Sequence, residues 1–226
     1  MAKSALSRFV RRRRHDLAYL LVLIIRALAT VLPRRPGLAL FGAIGGVVYA
    51  VGGVEKRRTL KHLEFVYGGQ WDRRRIRRTA RRVFVELGKN VFDAVRVPRL
   101  SRRAYERVVS HDSLEEMHAV IAGGSGLIGI TGHIGCFEMQ LPFFATHGVP
   151  AFAIGQRLFD SRVDGIVAGA RADGDTIYLR RSENPRTIIR LLREGRSLGV
   201  LIDQDTKVEG VFADFLGHPA YTPSGP

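Results

Sequence analysis

A histidine and a glutamate five positions apart carry the most chemistry in this chain. They close the run Leu127-Ile-Gly-Ile-Thr-Gly-His-Ile-Gly-Cys-Phe-Glu138, where an apolar stretch leads into Gly132, then His133, then Glu138. Histidine titrates near neutral pH, and a carboxylate on one ring nitrogen fixes the tautomer in which the other nitrogen can take a proton. That is the pairing of a general base with its orienting acid. In a continuous helix, residues five apart sit about 140° apart around the axis. The two side chains can therefore meet only if His133 lies in a turn and Glu138 in the first helical turn after it. Cys136 lies between them and could be pictured as a nucleophile, but its neighbours Ile134 and Phe137 predict a small packed thiol.

Other candidates follow at other predicted strand ends. Asp203-Gln-Asp205 comes directly after the apolar run 198–202. Acids there could orient a hydroxyl, bind a metal or hold loop amides in a structural turn. Arg157 and Arg171 flank a predicted helix, and the planar arginine fork suits phosphate; solvent-exposed helix-end charge is the plainer reading of both. The chain has no P-loop, no G-x-G-x-x-G after a strand and no H-E-x-x-H, so nucleotide hydrolysis, dinucleotide binding and zinc proteolysis lack support.

The elements that must position these groups alternate from about residue 110 onward. Helices are predicted over 113–122, 135–146, 161–172 and 185–193, and strands over 127–131, 151–154, 176–179 and 198–202. The strand 127–131 is expected to be buried, with Gly132 permitting a tight exit. This alternation predicts an α/β fold with a mostly parallel sheet flanked by helices and functional residues at the strands' C-terminal ends. Before it, 71–95 is predicted helical, with Ile76, Val83, Phe84, Leu87 and Val91 near a helical period. Seven arginines, Arg73, Arg74, Arg75, Arg77, Arg78, Arg81 and Arg82, occupy its other faces.

The N-terminal part has a different texture. The basic run Arg11–Arg14 precedes an apolar stretch over 17–32 that Arg26 interrupts. A second apolar run, 37–54, carries no charge and is followed by Lys56, Arg57 and Arg58. Each run is at or below the length of a comfortable bilayer span, and basic residues flank both. The expectation is a membrane-attaching helix or hairpin on the cytoplasmic face, with a buried soluble helical pair as the alternative. The expected organisation is therefore 1–58 as a membrane-attachment segment, 59–110 as an arginine-rich helical region, and 111–226 as an α/β core.

The 226 residues carry a net charge of +15, which calls for a polyanionic partner: anionic lipid, an acidic carrier protein or nucleic acid. One cysteine excludes an intramolecular disulfide and a cysteine-based structural zinc site.

Three motifs in order resemble one family. Thr131-Gly-His-Ile-Gly-Cys-Phe-Glu138 looks like a histidine-x4-acid motif, and Gly195-Arg-Ser-Leu-Gly-Val-Leu-Ile-Asp-Gln-Asp205 looks like a second acidic motif. The segment Gly210-Val-Phe-Ala-Asp-Phe-Leu-Gly-His-Pro-Ala-Tyr-Thr-Pro-Ser-Gly225 follows in the same order. Together they resemble the bacterial lipid A late acyltransferases, the lauroyl/myristoyl transferases that include phosphatidylinositol mannoside acyltransferases. The resemblance implies a glycerolipid acyltransferase-like fold at the inner membrane. It implies transfer of a fatty acyl chain from acyl carrier protein or acyl-CoA to a hydroxyl of a glycolipid, lipid A precursor or lysolipid. Under it, His133 is the base and Glu138 its partner, and Arg171 and Asp203 match positions of the family's motifs. Arg157 and Asp205 join them as candidate substrate-binding or supporting residues from their places at the strand ends. No cofactor or metal is expected.

Two departures accompany the match. Cys136 and Phe137 stand where the family commonly has Asn and Trp. Members also continue past the Pro-Ser-Gly stretch, so a C-terminal strand-and-helix portion is expected to be missing from this chain. The rival from another class is a non-catalytic, membrane-associated basic protein that binds anionic lipid or nucleic acid. Nucleic acid is disfavoured, because aromatic residues are not interleaved with the arginines as stacking platforms would require.

Overall fold

A computed structural model gives the fold and describes residues 5–97, 100–158, 160–171, 175–181, 183–204 and 209–224. The helical N-terminal part consists of α1 (Ala5–Val31), α2 (Arg34–Val51), α3 (Val54–Tyr67), α4 (Arg73–Arg96), α5 (Arg102–Glu106) and α6 (Leu114–Ala122). Alternation then begins: β1 (Ile128–Thr131), a 3-10 turn (Phe137–Met139), α7 (Gln140–Thr146), β2 (Ala151–Gly155), α8 (Ser161–Arg171) and β3 (Thr176–Arg180). It ends with α9 (Pro185–Arg193), β4 (Ser197–Leu201) and the strands β5 (Gly210–Phe215) and β6 (His218–Pro223).

The α/β expectation holds. The first four strands form one sheet in the order β1-β4-β2-β3, flanked by helices. β2 runs parallel to both neighbours, with Phe152 opposite Ile177 on one side and Leu198 on the other. The amide of Leu198 donates to the Leu127 carbonyl at 2.8 Å and that of Ile202 to the Thr131 carbonyl at 3.3 Å. Both chains advance by four residues between those bonds, so β1 and β4 are parallel too. β5 and β6 form a separate antiparallel pair, with Phe212 opposite Tyr221 and Phe215 opposite His218.

By its contacts the chain divides into two compact units, one of residues 1–32, 95–129 and 138–199, the other of 33–94, 130–137 and 200–226. In the first, Val149, Ala151, Phe152 and Leu198 are buried on the sheet, with Met139, Phe143, Val163 and Leu191 from the helices. α1 belongs to this unit through Arg162 of α8. The Arg162 guanidinium donates to Asp160 and at 3.0 Å to Asp16, and it lies 4.5 Å from the Tyr19 ring. Burial raises the Asp160 carboxyl less than those donated bonds lower it, so it is held below the ordinary carboxylate range.

In the second unit, α2 and α4 meet backbone to backbone. A Cβ on Gly45 would lie 2.1 Å from the Phe84 carbonyl oxygen, and one on Gly88 would lie 2.1 Å from that of Phe41. Glycine is required at both because the helices approach too closely for any side chain. The buried stripe of α4 is therefore Ile76, Ala80, Phe84 and Phe92, with Gly88 in line. This corrects the predicted face: Val83, Leu87 and Val91 are exposed, because the glycines of α2 select the four-residue stripe that brings Gly88 inward.

Three further expectations need correcting. β1 is not a buried strand: Ile128 and Ile130 share one face and are 56% and 65% exposed, because β1 is an edge of the sheet. The predicted helix over 135–146 starts late, since Gly135 has φ +59 and Pro142 sits in the first turn of α7, where its missing N–H costs nothing. α3 and α5 fall in or next to the expected helical region 59–110, whereas 210–223 forms the β5–β6 hairpin, where no regular structure was expected. Among the described residues no single helix is long and apolar enough to cross a membrane. α2 and α3 pass that test only as a pair, bent by 88° at Gly52-Gly53.

Candidate active site

The groups singled out in the sequence form two separate constellations. The first is built on the ends of β1 and β4. The ladder bond from Ile202 to Thr131 carries the two chains past their strands in register, which sets Asp203 opposite Gly132 and His133. One oxygen of Asp203 accepts the His133 backbone N–H at 2.6 Å, and the other meets Nδ1 of the ring at 2.7 Å. A Cβ on Gly132 would lie 2.8 Å from the Asp203 carboxylate, so glycine here makes space for the acid. The Phe137 ring stands edge-on to the imidazole at 4.6 Å.

Protonation follows from these contacts. Burial alone would push the Asp203 carboxyl up. The hydrogen bonds from the His133 ring and backbone outweigh it and hold the group below its ordinary value. An ionised carboxylate can only accept, so Nδ1 carries the hydrogen and Nε2 of the neutral ring presents a lone pair. Nε2 has no hydrogen-bond partner among the described residues, and the side chain is 31% exposed. The arrangement can take a proton at Nε2 and stabilise the resulting imidazolium through Asp203.

The second constellation centres on Arg171, the last residue of α8. Its Nε donates to Glu138 Oε2 at 2.8 Å and its Nη2 to Oε1, a bidentate pair. Its Nη1 donates to the Tyr178 hydroxyl at 2.9 Å. Burial opposes the Arg171 charge, but Glu138 outweighs burial and raises the guanidinium above its ordinary value. A Cβ on Gly155 would fall 1.9 Å from the Tyr178 hydroxyl, so this glycine also makes room for an oxygen. The result is a fixed, permanently charged fork.

The predicted partnership is thereby corrected. The carboxylate on Nδ1 of His133 is Asp203, and Glu138 is the acceptor for Arg171. A guanidinium matches both carboxylate oxygens at once, whereas the imidazole offers a single donor toward an acid. Arg157 is exposed and makes no hydrogen bond or ion pair among the described residues; its charge only helps to lower the Asp164 carboxyl, which Arg180 chiefly holds down. Asp205 lies outside the described residues. Cys136 fits the packed thiol expected of it, half-buried, with its S–H toward the Asn90 carbonyl at 3.5 Å. Among the described residues no cluster of His, Cys, Asp or Glu could hold a metal ion.

Two residues went unnoticed in the sequence. Tyr178 alternates into the Arg171 network from β3, and period-two spacing from the sheet end could have flagged it. The Asn90 amide donates to the Gly135 carbonyl at 2.9 Å and pins the turn after His133 from α4; nothing in the sequence pointed to it.

The chain belongs to the bacterial lipid A biosynthesis acyltransferase family, whose profile matches residues 6–226. It is accordingly an acyltransferase, with a lipid acceptor and an acyl donor as partners. A search of curated proteins gave no match.

Proposed function

We propose that this enzyme moves a fatty acyl chain from a thioester, on acyl carrier protein or coenzyme A, to a hydroxyl of a glycolipid, lipid A precursor or lysolipid. His133 Nε2 takes the acceptor hydroxyl's proton as that oxygen attacks the thioester carbon. The tetrahedral oxyanion collapses, the C–S bond breaks, and the imidazolium returns its proton to the leaving thiolate. Asp203 holds the reactive tautomer throughout. Arg171, fixed by Glu138 and Tyr178, is the proposed oxyanion donor, with two of its five N–H groups uncommitted. Arg157 and Asp205 enter only as proposed substrate-binding groups. The thioester supplies the driving force, so the reading calls for no cofactor.

The observation that carries it is the two-point clamp of Asp203 on the ring and backbone of His133. The proposed location is the cytoplasmic face of the inner membrane, attached through residues 1–58. On α1, exposed Leu17, Leu21 and Val31 together with exposed Arg12, Arg13 and Arg14 support that reading, as do exposed Val47 and Val51 on α2. The exposed arginines of α4 suit anionic headgroups or an acidic carrier protein. The test measures thiol release from an acyl thioester in the presence of glycolipid acceptor. His133→Ala is expected to abolish turnover with an unchanged melting temperature; retained turnover rejects the base assignment.

A further inference from the structure

The β5–β6 hairpin, which the catalytic reading does not use, ends in an apolar tip of unusual composition. β5 and β6 are joined by the two-residue turn Leu216-Gly217, and both have positive φ, +56 and +79. Such turns favour Gly, Asn or Asp at both positions, since a side chain in the left-handed region is sterically disfavoured. Leu216 is the one non-glycine residue among those described with positive φ. Its side chain is 53% exposed, so it gains no core packing to offset that conformation. Strain retained without a packing return points to a use elsewhere.

The surroundings identify that use. Phe215 precedes the turn and is 65% exposed; its cross-strand partner is His218, on the same face of the hairpin. The His218 ring lies 4.4 Å from that of Phe65 on α3, itself 67% exposed. Phe65, Phe215 and Leu216 thus gather at one end of the hairpin. Phe65 shares a helical stripe with Lys61 and Arg58, four and seven residues before it. α3 carries four Lys and Arg residues against two glutamates. Arg58 pairs with exposed Glu55, while Arg57 and Lys61 have no ion pair among the described residues. A two-residue turn offers no concave surface for a small ligand. Large apolar side chains at a tip, with cations set behind them, match the acyl region and anionic headgroups of a bilayer.

We propose that the β5–β6 tip is a membrane-inserting wedge, in which Phe215, Leu216 and Phe65 enter an anionic lipid surface and the cations of α3 face its headgroups. Its apolar tip lies outside residues 1–58, and the proposal stands independently of the catalytic assignment. The test uses the full chain with Trp71→Phe and Phe215→Trp, leaving one tryptophan at the tip. On vesicles of phosphatidylglycerol and phosphatidylcholine in equal parts, its emission should shift to the blue and be quenched by brominated acyl chains. A second variant, Leu216→Gly, relieves the backbone strain, so its melting temperature should equal or exceed that of the parent. Its cosedimentation with the same vesicles should fall about tenfold, the order expected for one lost leucine side chain. Emission of the Phe215→Trp protein that stayed that of a water-exposed indole on vesicle-bound protein would overturn the proposal. So would undiminished binding of Leu216→Gly. A concentration-dependent blue shift without vesicles would assign the tip to a second copy of the chain instead.

Discussion

At Asp203–His133 a carboxylate meets a ring that can give up its charge; at Glu138–Arg171 a carboxylate meets a guanidinium that cannot. Both pairs have an acid matched to a nitrogen donor, and both depend on a glycine whose missing Cβ leaves room for an oxygen. They differ in what happens to a proton. The imidazole offers Nε2 as a base, while the guanidinium stays a cation at every pH the protein survives. The two halves of one short motif are thus suited to different tasks, proton transfer and fixed charge.

The largest effects should separate them. Replacing His133 with Gln removes the base, and acyl transfer measured by thiol release should fall by about 10²- to 10⁴-fold. Arg171→Lys should lower turnover without moving its pH profile; a shifted pH profile with His133 intact would break the division, because it would give the fixed cation a share in proton transfer. Next come the glycines. Gly132→Ala drives a methyl group into the Asp203 carboxylate and should reduce turnover with little change in melting temperature. Gly155→Ala drives one into the Tyr178 hydroxyl and should lower the melting temperature first. The opposite ordering would reverse the roles assigned to the two sites.

The acid pairs should also respond differently to removal. Glu138→Gln leaves Arg171 without its charged acceptor and should cost about 1–3 kcal/mol of stability by denaturant titration. For Asp203 the sign follows from its lowered folded-state value. Its contribution is present above the unfolded carboxyl value of about 4 and is lost as pH falls through the folded one. Asp203→Asn should therefore be less stable than the parent at neutral pH, and the gap should close in acid. A gap that widened in acid would reverse the direction of that linkage. The smallest effect belongs to Tyr178→Phe, which removes one hydrogen bond to Arg171. It should cost about 0.5–1.5 kcal/mol in thermal unfolding and leave the pH profile of turnover unmoved.

Sequence alone determined much of this protein. Apolar runs bounded by glycine and polar breaks located the four parallel strands and the helices α6, α8 and α9, because the residue types that form strands, helices and turns leave a local imprint. Spacing singled out His133 and Glu138, the family resemblance added Arg171 and Asp203, and motif order pointed to the acyltransferase family that the profile match shows. Pairing among those residues was not legible. His133 and Asp203 are seventy positions apart, and only the parallel register of β1 with β4 brings them opposite. Local spacing therefore favoured Glu138, the nearer acid, over the one that the sheet delivers. The burial of α4 was misread for the same reason: the glycines of α2 chose its inward face through a backbone contact that no helical period encodes. Residue types fixed which chemistry is possible, and the tertiary structure decided which acid serves which base.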